Sequence, residues 1–287
     1  MIRAIIQAGF GNQLFQYATC YSLAKELGQE LQLDISFFDD FNRKERDNGR
    51  INNLDKLNID SCSVINFPES YWLYRLKQKL PFLRFSFVDG RLVPLVCEDI
   101  PNCREFQSHL FRSIGKRGAA VLGFWQNTKY FDKYILELKR QFTPGYQLED
   151  EVLQLHDVID SEQSVGVHIR RGDFVKLGWS KGTEYYNKGM DFLRKYLDKP
   201  HFYIVTDDVD WAQNQYKNVD DATIINVHTT NKDSYKFFLL STCRHQIISE
   251  STFGWWAAYL NTNKEKYVIV PKTAKGQIFN NKEWIKI

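Results

Sequence analysis

Three times in the second half of this 287-residue chain, a short apolar run stops at a cluster of charged or hydroxyl-bearing residues. Val165-Gly166-Val167-His168-Ile169 ends in Arg170-Arg171-Gly172-Asp173, and Phe202-Tyr203-Ile204-Val205 ends in Thr206-Asp207-Asp208. Gln246-Ile247-Ile248-Ser249 runs into Glu250-Ser251-Thr252-Phe253-Gly254 and then the helical Trp255-Trp256-Ala257-Ala258-Tyr259-Leu260. The second run is apolar throughout, as a strand covered on both faces requires. Further strands are expected over residues 223–227 and 267–270, with a helical pattern over 233–243. Strands alternating with helices imply an α/β fold with a parallel sheet. In such sheets ligands gather beyond the carboxyl ends of the strands. All three polar clusters lie there, so they are expected to share one site.

The first thirty-five residues read as β-α-β. Residues 2–6 form a strand, and Gln7-Ala8-Gly9-Phe10-Gly11-Asn12 is expected to be a turn. A helix follows, with Leu14, Tyr17, Ala18, Tyr21, Ala24 and Leu27 near helical spacing and Gly28 where a C-terminal glycine belongs. Leu31, Leu33 and Ile35 alternate as a second strand. Residues 36–60 are polar and read as a surface excursion. Residues 70–88 interleave Trp72, Leu73, Leu76 and Leu80 with Arg75, Lys77, Lys79 and Arg84. That pattern fits an ordinary surface helix or a basic amphipathic helix lying on a membrane surface or an anionic acceptor. The segment Thr143-Pro144-Gly145 is the best linker, which divides the chain into domains 1–145 and 146–287.

Composition removes several classes. Thirty-eight basic residues against 35 acidic ones leave a formal charge of +3, too balanced for a general phosphate-backbone binder. The five cysteines show no C-x-x-C spacing, and a chain this long needs no disulfide staples, so a reducing compartment fits. No apolar run reaches the ~18 residues of a membrane span, and no signal-peptide core opens the chain. A cytoplasmic, bacterial-type protein is expected.

Each cluster suits phosphate or nucleotide chemistry. With a strand period of two, His168 and Arg170 share a face opposite Val165, Val167 and Ile169. Arg170 offers a planar, permanently charged fork that matches a phosphate, whereas Arg171 reads as one half of a structural Arg–Asp pair. A helix starting after Ser251 supplies unpaired N–H groups and a positive dipole end; Ser251 and Thr252 either cap it or bind an anion. Trp255 and Trp256 read as core. Asp208 sits where a base or ribose could be read, and a carboxylate can pair with the guanine edge by two parallel hydrogen bonds, while Asp207 and Asp210 read as solvated. Asp208-Val209-Asp210 also resembles the D-x-D metal triplet of another transferase class. Gly9 and Gly11, with Asp34 further on, invite a dinucleotide reading, but the third glycine of that fingerprint is replaced by Leu14.

Four segments together resemble the family 11 glycosyltransferases, the α-1,2-fucosyltransferases of bacteria and animals. They are residues 9–18 (Gly-Phe-Gly-Asn-Gln-Leu-Phe-Gln-Tyr-Ala), 167–173, 202–208 and 251–261. The resemblance implies a GT-B-like α/β fold of two Rossmann-like domains with parallel sheets. Domain 1–145 would serve the acceptor and domain 146–287 would hold GDP-fucose. By the same likeness Arg170 would grip the β-phosphate, Asp208 would read guanine, and His168 would lie against the nucleotide. Ser251, Thr252 and Phe253 would make the second phosphate contact. Gly9, Gly11 and Asn12 would lie toward the fucose or the acceptor. Many bacterial relatives carry Asn where Glu250 stands. Asp173 is the first candidate for a catalytic base, with His168 and Glu250 behind it.

The implied reaction is inverting and metal-independent, with no cofactor beyond GDP-fucose as co-substrate. Its acceptor would be a galactose-terminated oligosaccharide, free or lipid-linked, in bacterial surface-glycan (O-antigen) synthesis at the inner face of the membrane. Three rivals predict differently. A metal-dependent transferase would use Asp208 and Asp210, a nicotinamide dehydrogenase Gly9, Gly11 and Asp34, and a non-catalytic protein would bind GDP without turnover.

Overall fold

The computed structural model describes residues 1–38, 50–66, 85–99, 105–112, 114–227, 229 and 231–287. Two compact units divide the chain, Met1–Phe142 and Thr143–Ile287.

The first unit opens with β1 (Ile2–Ile5), α1 (Phe10–Leu27) and β2 (Leu31–Asp34). The helix stops where Gly28 takes the left-handed conformation, φ 59°, the C-terminal cap that its sequence announced. It starts two residues earlier than Asn12, with Gly9 as N-cap, so Gly11 and Asn12 lie in the first helical turn rather than in a loop. The left-handed residue of the connection is Ala8, φ 66°. Two glutamine side chains hold it there. Gln13 Nε2 donates to Ala8 O at 3.0 Å, and Gln16 Oε1 accepts from Gln7 N at 2.9 Å. Gln13 also bridges to Asn53 N and Ile51 O.

After β3 (Ser63–Ile65) come β4 (Phe85–Val88), β5 (Arg91–Cys97) and β6 (Ala119–Leu122). The end of the expected 70–88 helix is therefore a strand, and residues 70–84 lie outside the described residues. The sheet order is β3-β2-β1-β6-β5-β4. All neighbours are parallel except the β4–β5 hairpin. The unit closes with α2 (Ile135–Gln141), whose Gln141 side chain bonds to the hydroxyl of Tyr17 on α1.

The second unit runs α3 (Asp150–Ser161), β7 (Ser164–Ile169), α4 (Gly172–Lys176), α5 (Thr183–Tyr196), β8 (His201–Thr206), α6 (Val209–Tyr216) and β9 (Ala222–Ile224). It continues with α7 (Lys232–Thr242), β10 (His245–Ile248), α8 (Thr252–Leu260), β11 (Val268–Val270) and β12 (Ile285–Lys286). Every strand pair is parallel, in the order β12-β11-β10-β7-β8-β9. That is the doubly wound order of nucleotide-binding sheets, reversing between β7 and β10.

One face of this sheet buries Val165, Val167, Ile169, Phe202, Ile204 and Ile247 with Tyr186, Met190 and Leu193 of α5. Over the other face, α7 comes so close that a Cβ on Gly166 would lie 2.6 Å from Leu240 Cδ1. Trp255 and Trp256 are core residues, 1% and 0% exposed. Asn261, part of the last resemblance segment, ties the end of α8 down; its Nδ2 donates to Cys243 O and Gln246 Oε1, both at 2.9 Å. Large buried aromatics of this kind typically contribute ~3–5 kcal/mol each by truncation.

Candidate active site

The switch point of the second sheet is where its polar clusters meet. β7 and β10 are hydrogen-bonded neighbours, with His168 opposite Ile248. Arg170 leaves the end of β7, and Ser251 caps α8 just after β10. β8 adds its own terminus on the other side of β7.

Arg170 is held from two directions. Its Nε and Nη2 donate to Asp173 Oδ1 at 3.2 and 2.8 Å, and its Nη1 meets Asp207 Oδ2 at 3.0 Å. The guanidinium also lies over the Phe174 ring, 5.7 Å from its centroid. Three of the five guanidinium donors are thus used for orientation, leaving two to meet a ligand. The side chain is 30% exposed, so those donors can reach one.

Asp207 is the correction here. It is exposed in a bend, as its sequence position indicated, yet it also joins both arginines, because its Oδ1 accepts from Arg171 N at 2.8 Å while its Oδ2 meets Arg170. Its carboxylate presses on Gly172, where a Cβ would come within 2.6 Å of Asp207 Oδ2. The glycine is needed for that close approach, and it opens the short helix α4 rather than a turn. Asp173 lies in that helix's first turn, as a clamp on Arg170.

Arg171 forms the structural pair its sequence position indicated. Its Nε donates to Asp208 Oδ2 at 3.0 Å, and the guanidinium stacks 4.1 Å from the centroid of Trp211. Asp208 is also the N-cap of α6, accepting from Trp211 N at 3.1 Å. A guanine edge would therefore meet a carboxylate already oriented by two internal bonds. Asp210 lies inside the first turn of α6. Among the described residues no group of three or more His, Cys, Asp or Glu side chains could hold a metal ion.

His168, two residues before the arginine on β7, is 4% exposed. Its Nδ1 is 3.0 Å from Ser249 Oγ, and its ring stacks on Phe253 at 5.2 Å. A Cβ on Gly254 would lie 2.7 Å from His168 Nδ1, so that glycine is what lets α8 close on the imidazole. Burial, followed by the charges of Arg170 and Lys236, pushes the imidazole down to about 3. It is neutral at ordinary pH and too weak a base to take a proton from an alcohol. Phe253 thus reaches this site by packing on His168, and it donates its N–H to Ser251 Oγ at 3.3 Å. Ser251 and Thr252 begin α8, whose N-terminal end carries the positive dipole.

Lys236 on α7 was not legible as a site residue. Its Nζ donates to Thr206 O at 2.8 Å, at the end of β8, and burial lowers its affinity for a proton. Glu250 is engaged elsewhere. It accepts from Lys275 N at 2.7 Å and faces Lys181 Nζ at 3.8 Å, which ties the loop after β11 to the entry of α8.

The first unit has its own switch point, between β1 and β6. There Asn12 Oδ1 accepts from Gln126 Nε2 at 3.0 Å. Gln126 belongs to a loop after β6 that no sequence pattern marked. Both side chains are partly exposed.

The two units are those of a GT-B-like α/β fold, and the second carries an arginine–carboxylate cluster at the switch point where α8 begins. The model of Glycosyl transferase family 11 matches residues 1–287, and the chain belongs to that family. It is 30% identical to an α-1,2-colitosyltransferase of Escherichia coli over 94% of this chain and 91% of the relative. To human galactoside α-(1,2)-fucosyltransferase 1 it is 29% identical, over 48% of this chain and 42% of the relative. Among solved structures, the fucosyltransferase NodZ of Bradyrhizobium shares the fold, with a TM-score of 0.50 at 14% identity, covering 90% of this chain and 91% of that one. Among the described residues no helix is long and apolar enough to cross a membrane.

Proposed function

We propose that this glycosyltransferase moves L-fucose from GDP-β-L-fucose to the 2-hydroxyl of a terminal β-galactoside, with inversion, in the building of a surface glycan. The observation that carries this reading is Arg170, clamped by Asp173 and Asp207 with donors to spare beside the start of α8. Such a cluster fits a diphosphate leaving group. As the acceptor oxygen bonds to the sugar's anomeric carbon and gives up its proton, for which Asp173 is the first candidate base, the bond to the β-phosphate oxygen breaks and negative charge grows on GDP. Donors fixed in advance at that point stabilise the transition state more than the ground state. The positive charge developing on the sugar ring is that of glycoside cleavage generally. His168 lies two residues before the arginine on β7, and Asp208 is the carboxylate assigned to guanine.

Fucose and the α-1,2 linkage draw support from the similarity to the human enzyme. The longer similarity to the colitosyltransferase favours a second reading, in which colitose is the sugar transferred by the same chemistry. Either way no metal is assigned a role, since Arg170 and the helix terminus supply the positive charge. The test is incubation with GDP-fucose and lactose-type acceptors, with and without EDTA, followed by linkage analysis of the product. An α-1,2-fucosylated galactoside formed equally in both is expected. Fucose on another hydroxyl, transfer of colitose alone, or loss of activity restored by manganese or magnesium would each overturn the corresponding part of the assignment.

A further inference from the structure

Among the described residues only four non-glycine residues have positive φ, and two of them, Ala8 (66°) and Trp125 (55°), flank the switch point of the first unit. Trp125 is the more telling. A bulky side chain rarely adopts left-handed backbone, and such a conformation persists only where its surroundings over-determine it. Here the surroundings are Glu98, the residue that follows β5. Its Oε2 accepts from Phe124 N at 2.6 Å and its Oε1 from Trp125 N at 2.9 Å. Gly123 makes room for this, because a Cβ there would lie 2.5 Å from Glu98 Cβ. The Trp125 ring, 0% exposed, is boxed by Phe111 at 5.1 Å and Tyr130 at 5.6 Å. On the far side of Gln126, Asn127 N donates to Trp125 O at 2.8 Å.

Within this stretch Gln126 reaches across the switch point, its Nε2 donating to Asn12 Oδ1 at 3.0 Å. A buried carboxylate is costly to keep in a protein. Burial drives the Glu98 carboxyl up to about 7 despite the two amide bonds that pull it down. A group of that kind, spent on two backbone amides, has its use in the loop that it shapes.

We propose that Glu98 is a positioning residue for the acceptor sugar, holding Trp125 in left-handed backbone so that Gln126 and Asn12 present a paired carboxamide to the hydroxyls of a neutral hexopyranoside. This rests on the reading that the first unit receives the acceptor. Carboxamides suit that ligand, offering a donor and an acceptor to each sugar hydroxyl without a charge to desolvate. Glu98 itself acts through the loop and does not touch the sugar.

The test compares the parent enzyme with Glu98→Gln, Gln126→Ala and the double variant, reading acceptor KM, GDP-fucose KM, GDP affinity by calorimetry, and thermal unfolding. Losing one neutral hydrogen bond to the sugar should raise acceptor KM roughly five- to tenfold in Gln126→Ala. Glu98→Gln should do the same, because one end of its amide cannot accept an N–H, while GDP affinity and GDP-fucose KM hold within about twofold. The double variant should be no worse than either single one, since both act through one carboxamide. Unchanged acceptor KM in Glu98→Gln, multiplying effects, or a parallel fall in GDP affinity would each overturn the proposal. If Glu98→Gln does not fold, Gln126→Ala combined with Asn12→Ala decides in the same way, with multiplying effects overturning the pairing. A parent enzyme that binds GDP but glycosylates no neutral glycoside overturns the functional reading and this inference with it, an outcome distinct from all the others.

Discussion

The two units solve one topological problem with opposite chemistry. Each sheet reverses its strand order at a central pair, β1–β6 in the first and β7–β10 in the second, and each gathers its polar groups there. The second crevice is ionic: Arg170 and Arg171 interlock with Asp173, Asp207 and Asp208. In the first, carboxamides predominate: Gln13 and Gln16 bond around Ala8, and Asn12 meets Gln126. Its buried carboxylates accept from local groups, Glu98 from two backbone amides and Asp34 from the N–H and hydroxyl of Ser36. A doubly wound sheet dictates where a ligand can lie but not its charge. The side chains at the strand ends decide what charge each crevice offers.

That contrast breaks most easily at Arg170. Arg170→Ala should lower turnover by on the order of a hundredfold or more, because a donor to the leaving-group charge is lost. Arg170→Lys should recover only part of it, since the fork is gone. Steady-state kinetics on a folded protein check both, and near-normal turnover in Arg170→Ala would remove the ionic crevice from the reaction.

A smaller loss is expected from Asp207→Asn, about tenfold in turnover, since it loosens Arg170 by one charged bond and leaves Asp173 in place. The same kinetics would show whether Asp207 orients the arginine; an increase in activity would mean that it only competes with the phosphate for the guanidinium.

Salt should separate the crevices by a few-fold. GDP affinity is expected to fall between low and high sodium chloride as charges are screened, while acceptor KM stays level. Calorimetry and acceptor titrations at two ionic strengths are sufficient, and an acceptor KM that rises in step with the loss of GDP affinity would erase the distinction.

The finest effect is on stability against pH, where His168 and Glu98, each buried beside a switch point, should pull in opposite directions. His168 is driven down to about 3, so below pH ~6.5 the unfolded chain takes up a proton that the folded one refuses. Its contribution is present above that pH and fades as the pH falls. Glu98 is driven up to about 7, so its contribution is complete below the ordinary carboxylate range and fades as the pH rises toward 7. Denaturant midpoints across pH 4–8 should show a shallower acid slope in His168→Asn, with His245, also buried and pushed down to about 4, keeping the remainder, and should lose the slope toward neutrality in Glu98→Gln. A slope unchanged by its own substitution would reassign that group.

Much of the second unit was open to reading from local pattern. Its strands end at polar clusters, its glycines mark close approaches, and a strand buried on both faces cannot hide an apolar run as long as Phe202–Val205. The family resemblance lay in those same segments. Local pattern also supplied α1 and its cap, because helix periodicity and a left-handed glycine are properties of a few consecutive residues. It could not show that Asp207, 36 positions after Arg171, would bond to that residue's backbone N–H. Nor could it show that β6 would lie beside β1, more than a hundred residues away, and carry Gln126 to Asn12. The sequence by itself determined which elements form and which residues stand at their ends, since propensity and period are encoded in neighbours. Strand order and charge pairing are long-range choices, made by packing and loop closure. Only the tertiary structure decided that one crevice would interlock arginines with carboxylates and the other would join two carboxamides.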